Sequence, residues 1–231
     1  MRDIYKNIKL VRDTLKLTKS ISCSVEIIAV TKTFSYQDAL EALNCGIIHI
    51  GESRIQEALP KFDQLGSSLS GVKKHFIGHL QTNKAKKAVE NFDFIHSLDS
   101  LKLADEINRH AANTDKVQNC LIEVKVSQES SKTGVLPDDV NDFYVKCLSF
   151  PNIVIRGLML ITPYSDNPTD SRPYFKYVKN LFEDIKKSFA NTNFDILSMG
   201  MSCDYRIAVD EGATMIRIGS AIFGERDYGD K

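Results

Sequence analysis

The sequence predicts an α/β protein, a single (β/α)8 barrel of the TIM type with one extra helix at its N-terminus. Three observations lead there. Short segments rich in Ile, Val and Phe recur eight times, amphipathic stretches with a helical period lie between them, and little sequence is left over. Strands that alternate with helices call for a parallel sheet. Eight such units in 231 residues, close to the ~250 typical of the fold, argue for closure into a barrel. A doubly wound open sheet is the competing topology.

Ile4, Ile8, Val11 and Leu15 recur at helical spacing with charges between them, which predicts a leading helix over 3–20. Strands are predicted at 26–31, 47–50, 75–78, 94–98, 120–126, 153–161, 194–198 and 214–218, all too short for helices. Helices are predicted at 36–44, 53–65, 83–91, 100–112, 137–148, 171–189 and 205–211. The first of these stops at Cys45-Gly46, where glycine can take the left-handed cap. Pro137 suits a first helical turn, where its missing N–H costs nothing, and Gly212 is a stop signal. The stretch 163–172, with Pro, Asn, Asp and Ser, is the most loop-like. The organisation expected is one domain over 1–231, with the leading helix in 1–20 and the barrel in 26–224.

Composition narrows the function classes. The 30 Lys and Arg balance the 30 Asp and Glu, so charge gives no support for a nucleic-acid or acidic-membrane partner. The longest apolar runs, 25–30 and 157–161, are strand-sized and far short of a membrane span. The first six residues mix charges and lack the apolar stretch of a signal peptide. Five cysteines (Cys23, Cys45, Cys120, Cys147, Cys203) are widely spaced with no C-x-x-C pair, and read as reduced thiols. A cytoplasmic protein is expected. No long apolar helix asks for a partner subunit, so a monomer is expected too.

Chemistry in this fold sits at the C-terminal ends of the strands. The first predicted strand ends in Thr31-Lys32-Thr33, and the second runs into Gly51-Glu52-Ser53-Arg54. The third ends in Gly78-His79-Leu80-Gln81, the seventh in Ser198-Met199-Gly200-Met201-Ser202, and the eighth in Arg217-Ile218-Gly219-Ser220. Polar, charged and glycine residues thus converge on one rim. A lysine at a barrel mouth loses hydration, which favours the neutral amine that attacks carbonyls. The plainer alternative is a strand-end lysine reaching out to solvent. Ser202 offers a hydroxyl, while Gly219 and Ser220 offer backbone N–H groups at the start of a short helix through Ala221-Ile222-Phe223. Together they have the makings of a phosphate site after strands seven and eight. Alternatively, Gly219 and Gly224 are turn glycines. His75 and His79 could share a strand face but lack further ligands for a metal. Ser131-Lys132-Thr133-Gly134 lacks the phosphate-loop frame and reads as a loop. Lys84, Lys86 and Lys87 read as the solvated face of a helix.

At these strand ends the chain resembles the pyridoxal 5′-phosphate (PLP) homeostasis proteins, the PLP-binding protein family. Their barrel is similar to the N-terminal domain of alanine racemase, PLP fold type III. The matching blocks are 28–32, 51–57, 75–84 (His75-Phe76-Ile77-Gly78-His79-Leu80-Gln81-Thr82-Asn83-Lys84), 156–159, 197–202 and 209–228, spread in order over nearly the whole chain. The resemblance implies that Lys32 carries PLP as a Schiff base, and that Ser202, Gly219 and Ser220 hold the phosphate. It implies further that Arg217 faces the pyridine nitrogen, and that Ser198, Met199 and His79 line the same pocket. Two positions depart from the family pattern: Ser53 stands where Asn is usual, and Lys74 where Trp often precedes the His-Phe-Ile-Gly block.

The resemblance implies a role in vitamin B6 homeostasis and PLP carriage rather than turnover, with PLP-dependent apo-enzymes as candidate recipients. An Arg stays protonated, so it keeps the ring nitrogen it faces unprotonated and the ring a weaker electron sink. The racemases resembled place an opposing base on an additional C-terminal β domain, for which 231 residues leave no room. A small PLP enzyme such as an amino-acid racemase is the second reading, and a PLP-free barrel binding another phosphate the third.

Overall fold

The computed structural model describes residues 3–17, 25–126, 133–189 and 193–225. Eight strands close into a barrel in sequence order: β1 (Glu26–Val30), β2 (His49–Glu52), β3 (Lys73–Phe76), β4 (Phe94–Leu98), β5 (Gln118–Val124), β6 (Ile153–Leu160), β7 (Ile196–Ser198) and β8 (Met215–Ile218). Every neighbouring pair is parallel, and β8 returns to β1 with Ala29 level with Ile218. The predicted closed barrel is therefore the observed one, and the open-sheet alternative falls.

Helices α2 (Tyr36–Asn44), α3 (Ile55–Leu65), α4 (Ala85–Asn91), α5 (Leu101–Ala112), α6 (Val140–Cys147), α7 (Arg172–Phe189) and α8 (Tyr205–Asp210) form the outer ring, and α9 (Ser220–Phe223) follows β8. Their apolar faces seal against the outward side chains of the strands, as in Ala104, Ile107 and Ala111 of α5 and Phe175, Val178, Phe182 and Ile185 of α7. The leading helix is α1 (Ile4–Leu17), with Ile4, Ile8, Val11 and Leu15 buried. It is tied down by polar contacts as well. Asn7 Nδ2 donates to the carbonyl of Ile222, and Arg12 to those of Cys45 and Gly46. The predicted tail of this helix at 18–20, Cys23, Ser131-Lys132 and the last residues of the 209–228 block lie outside the described residues.

Strand side chains alternate between two cores. Outward ones join the helices. Inward ones fill the barrel axis, where Ile28, Val30, Phe94, Leu121, Met159, Ile196 and Met215 form a separate apolar plug. A bulge at Arg156 shifts the inward phase of β6 by one residue, so that Ile153 and Ile155 face the helices before it and Leu158 and Leu160 after it. Cys120 pairs with Ile155, but Leu121 already pairs with Gly157. Gly157 has φ +148°, and a Cβ there would lie 1.8 Å from the Ile196 carbonyl oxygen, so only glycine lets β7 approach. No helix among the described residues is long and apolar enough to cross a membrane.

Candidate functional site

Lys32 is placed by a short sequence of events at the end of β1. The strand stops at Val30, and Thr33 turns the chain with φ +67°, a value unusual for a β-branched residue. Ser35 then caps α2 in a reciprocal capping box with Asp38. Directly behind Lys32, on the helix side, Lys61 of α3 donates to the Thr31 carbonyl (2.6 Å) and to Glu52 Oε1 (2.5 Å), while the Thr31 hydroxyl donates to the same carboxylate oxygen (2.6 Å). Glu52 is fully buried and Lys61 nearly so, and Glu52 Oε2 is buried with no hydrogen-bond partner.

The mouth opens into a cavity of about 710 Å³ that Lys32 shares with Ser53, His79, Lys84, Glu123 and Lys125. Lys84 therefore belongs to the site, whereas Lys86 and Lys87 are exposed on α4; the three are not one solvated face. His79 lies past the end of β3, half-exposed, with Nδ1 3.5 Å from Asp99 Oδ2, so it does not share a strand face with His75. Glu123 points inward from β5 and is 8% exposed. Loss of hydration, reinforced by the charge of Asp99, pushes its carboxyl up to about 7. The Thr133 hydroxyl and the Arg217 charge oppose the shift.

The predicted phosphate residues meet across the β8–β1 seam. The register sets Gly219 beside Val30, two residues before Lys32, and a Cβ on Gly219 would contact Val30 at 3.7 Å. The N–H groups of Gly219 and Ala221 converge on one point, the Ser202 hydroxyl oxygen, at 3.2 and 3.1 Å. Ser220 is exposed at the same turn. Ser202, Gly219 and Ser220 are thus brought together, with the Ala221 N–H as a donor that sequence reasoning missed.

Arg217 is buried inside the barrel. Nη1 donates to the carbonyl and the hydroxyl of Ser198, and Nη2 to the Leu160 carbonyl, all at 2.8 Å. Burial pulls its pKa down to about 10, with Asp204 and Glu123 opposing, so it stays a cation at neutral pH. These bonds use three of its five N–H groups. Met199 is the residue the structure does not bring here: one position beyond inward Ser198, its side chain is packed among the strand-to-helix core residues. Alternation along β7 sets that direction.

Below Ser198 lies a feature absent from the sequence reading. His96 of β4, His75 of β3 and His49 of β2 form a chain of ring contacts: His96 Nδ1 to Ser198 Oγ 3.2 Å, His96 Nε2 to His75 Nδ1 2.9 Å, and His75 Nε2 to His49 Nδ1 2.9 Å. His49 Nε2 lies 3.4 Å from Glu26 Oε2 at the opposite end of the barrel. Burial holds His75 and His96 well below the ordinary imidazole pKa.

Residues 2–227 match the family described as alanine racemase, N-terminal domain. The chain is 42% identical over 203 residues to the pyridoxal phosphate homeostasis protein of Aquifex aeolicus (strain VF5), covering 88% of each. It is 33% identical over 239 residues to the protein of that name from Escherichia coli (strain K12), covering 100% of both. A solved structure of PipY of Synechococcus elongatus PCC7942 with PLP bound superposes with a TM-score of 0.86 at 33% identity, over 96% of this chain and 100% of that one. Alanine racemase of Clostridium difficile 630, at 15% identity and a TM-score of 0.71 over 95% of this chain and 60% of that one, shares the fold.

Proposed function

The chain belongs to the pyridoxal phosphate homeostasis protein family, and on that premise we propose that it binds PLP through Lys32 and serves PLP homeostasis and carriage rather than turnover. The observation that carries the reading is the seam between β8 and β1. It sets a lysine at the edge of a cavity two residues past Val30, and a converging pair of backbone N–H groups beside that same Val30. A phosphate oxygen can take the place that the Ser202 hydroxyl occupies on those donors, with Ser202 and Ser220 adding hydroxyls.

When bound, PLP supplies a reactive aldehyde and an electron-withdrawing ring. Each nearby residue then has a task. Lys32 holds the aldehyde carbon as a Schiff base. Ser202, Gly219, Ala221 and Ser220 hold the phosphate. Arg217, still cationic with its pKa near 10, donates toward the ring nitrogen and keeps it unprotonated. Ser198 acts through Arg217, to which it is bonded, and His79 borders the outer cavity. Met199 supports the site from behind. Two facts support carriage over turnover: an unprotonated ring is a weak electron sink, and the relatives that match over most or all of their length are named as homeostasis proteins. We place the protein in the cytoplasm as a monomer, with PLP-dependent apo-enzymes as recipients.

The test is spectroscopic. Purified protein is expected to be yellow, and borohydride followed by peptide mapping should label Lys32. Lys32→Ala should be colourless. A reducible chromophore retained in full by Lys32→Ala would sink the assignment. One observation favours a second reading, a small PLP-dependent enzyme such as an amino-acid racemase. Glu123, with a carboxyl that titrates near neutrality, lines the same cavity as Lys32. Incubation with a panel of L-amino acids and chiral chromatography decides between them: turnover at rates typical of dedicated enzymes would overturn the carrier reading.

A further inference from the structure

Three imidazoles inside a barrel axis ask for an account, because the same positions on other strands are filled by Leu121, Met159 and Ile196. Their ring nitrogens are spaced for hydrogen bonds at every step, and the direction of each bond follows from one fixed end. A guanidinium can only donate. Arg217 Nη1 donates to Ser198 Oγ, so the proton of Ser198 itself must go to an acceptor. The acceptor in reach is His96 Nδ1 at 3.2 Å. A bare Nδ1 on neutral His96 puts its proton on Nε2, which faces His75 Nδ1. His75 must then carry its proton on Nε2 and donate to His49 Nδ1, and His49 Nε2–H points to the Glu26 carboxylate.

We propose that His96, His75 and His49 are positioning residues for Arg217. They form a one-way hydrogen-bond relay, Arg217 to Ser198 to His96 to His75 to His49 to Glu26, that runs the length of the barrel and fixes the guanidinium. The relay holds only while all three rings are neutral. A proton added to His96 Nδ1 would turn that atom into a donor, strand the Ser198 proton and set a second cation beside Arg217. The groups around the rings fit this. Arg217 faces His96, Lys73 of β3 faces His75 and His49, and among the described residues only His49 has anionic neighbours, in Glu26 of β1 and Asp93 ahead of β4. The end nearest Glu26 is the half-open one: the His49 side chain is 12% exposed and that of Glu26 46%. The polarity concerns this chain's own residues. Its consequence for PLP rests on the reading that Arg217 faces the ring nitrogen.

The polarity is read in cofactor-free protein labelled with 15N in its imidazoles, by long-range 1H–15N correlation at neutral pH. All three rings are expected to be protonated at Nε2 and bare at Nδ1. A neutral ring protonated at Nδ1 in any of them overturns the relay. Glu26→Gln should leave the tautomers unchanged, because Arg217 sets the direction. Ser198→Ala should leave them unchanged too, because the Glu26 carboxylate can only accept and still fixes His49 Nε2–H. The double variant Ser198→Ala with Glu26→Gln removes both fixed ends and should leave the rings a mixture of tautomers. Scrambled rings in either single variant, or unchanged rings in the double variant, also overturn it. The consequence for PLP is read separately, with rescue as the control. His96→Asn keeps one acceptor and one donor, and should retain PLP within about twofold of the parent. His96→Phe keeps neither and should lose it about tenfold faster. Equal retention by the two variants would remove Arg217 positioning, while the tautomer result stands apart from whether PLP binds at all.

Discussion

Glu123 carries a pH prediction whose sign is the reverse of that for an ion-paired carboxylate. Its ordinary pKa of 4.5 is raised to about 7 in the fold, so the folded state favours the protonated form. Its contribution to stability is complete below about pH 4.5, declines as pH rises through the interval, and is gone above about pH 7. Glu123→Gln keeps the neutral shape without the charge. The variant should match the parent at low pH and exceed it at pH 8 by up to about 3 kcal/mol in urea unfolding. A gap that does not widen with pH would refute the assignment. His75 and His96, held neutral by burial, act in the opposite direction and lose stability as pH falls below their ordinary 6.5. Both proteins share that loss, so the difference between them isolates Glu123. At this scale the sequence showed Lys32, Arg217, Ser202 and Gly219, because strand ends concentrate polar residues. It did not show the histidine relay. His49, His75 and His96 lie 26 and 21 residues apart and Ser198 a further 102, so only barrel closure assembles them. The available signal was an inward-phase histidine on each of three consecutive strands.

Elements were most legible where one face alone is apolar. The predicted helix at 36–44 coincides with α2, and those at 100–112 and 171–189 differ from α5 and α7 by one residue. Strand ends were less legible, for a physical reason. The predicted 47–50 became His49–Glu52, because a fully buried carboxylate reads as a loop residue in sequence and becomes a strand residue only with Lys61 opposite. The predicted 75–78 became Lys73–Phe76, whose two lysines pair with His49 and Ile50 near the solvent end of the barrel. The pair behind β1 and β2 gives the element-scale prediction. Lys61→Met strands the buried charge of Glu52 and frees the Thr31 carbonyl next to Lys32. It should cost about 3–5 kcal/mol, whereas Lys61→Met with Glu52→Gln should recover most of that loss. Urea midpoints of both variants check it; a single variant as stable as the parent would mean the pair does not anchor this strand end.

At the scale of the molecule, closure is not equally firm around the barrel. β5 and β6 share seven register pairs, whereas β7 has three residues and meets β8 through the single pair Ser198–Met215. The β7–β8 seam is supplemented by the Arg217 bonds to Ser198, by Met199 N–H donating to the Met215 carbonyl, and by Arg217 N–H donating to the Gly200 carbonyl, while the Arg217 bond to Leu160 reaches past β7 to β6. The proposed phosphate cup is made by the loops that leave these same two strands, so a ligand there ties together the pair with least backbone pairing. Segments with few long-range bonds open first, and a ligand that binds only the closed form suppresses that opening. Amide exchange at Met199 and Arg217 should therefore be faster than at Ile122 and Leu158 in cofactor-free protein, and PLP should slow the first pair far more than the second. At about 100 times its dissociation constant PLP adds roughly 2.7 kcal/mol, which for a chain of this size raises Tm by about 5–10 °C. Lys32→Ala keeps the cup and should retain seam protection at higher PLP concentration. Ser202→Ala keeps the lysine and should lose protection at the seam while still accepting borohydride label. Uniform slowing across all eight strands would mean that PLP stabilises the barrel as a whole and that the seam is not its point of closure.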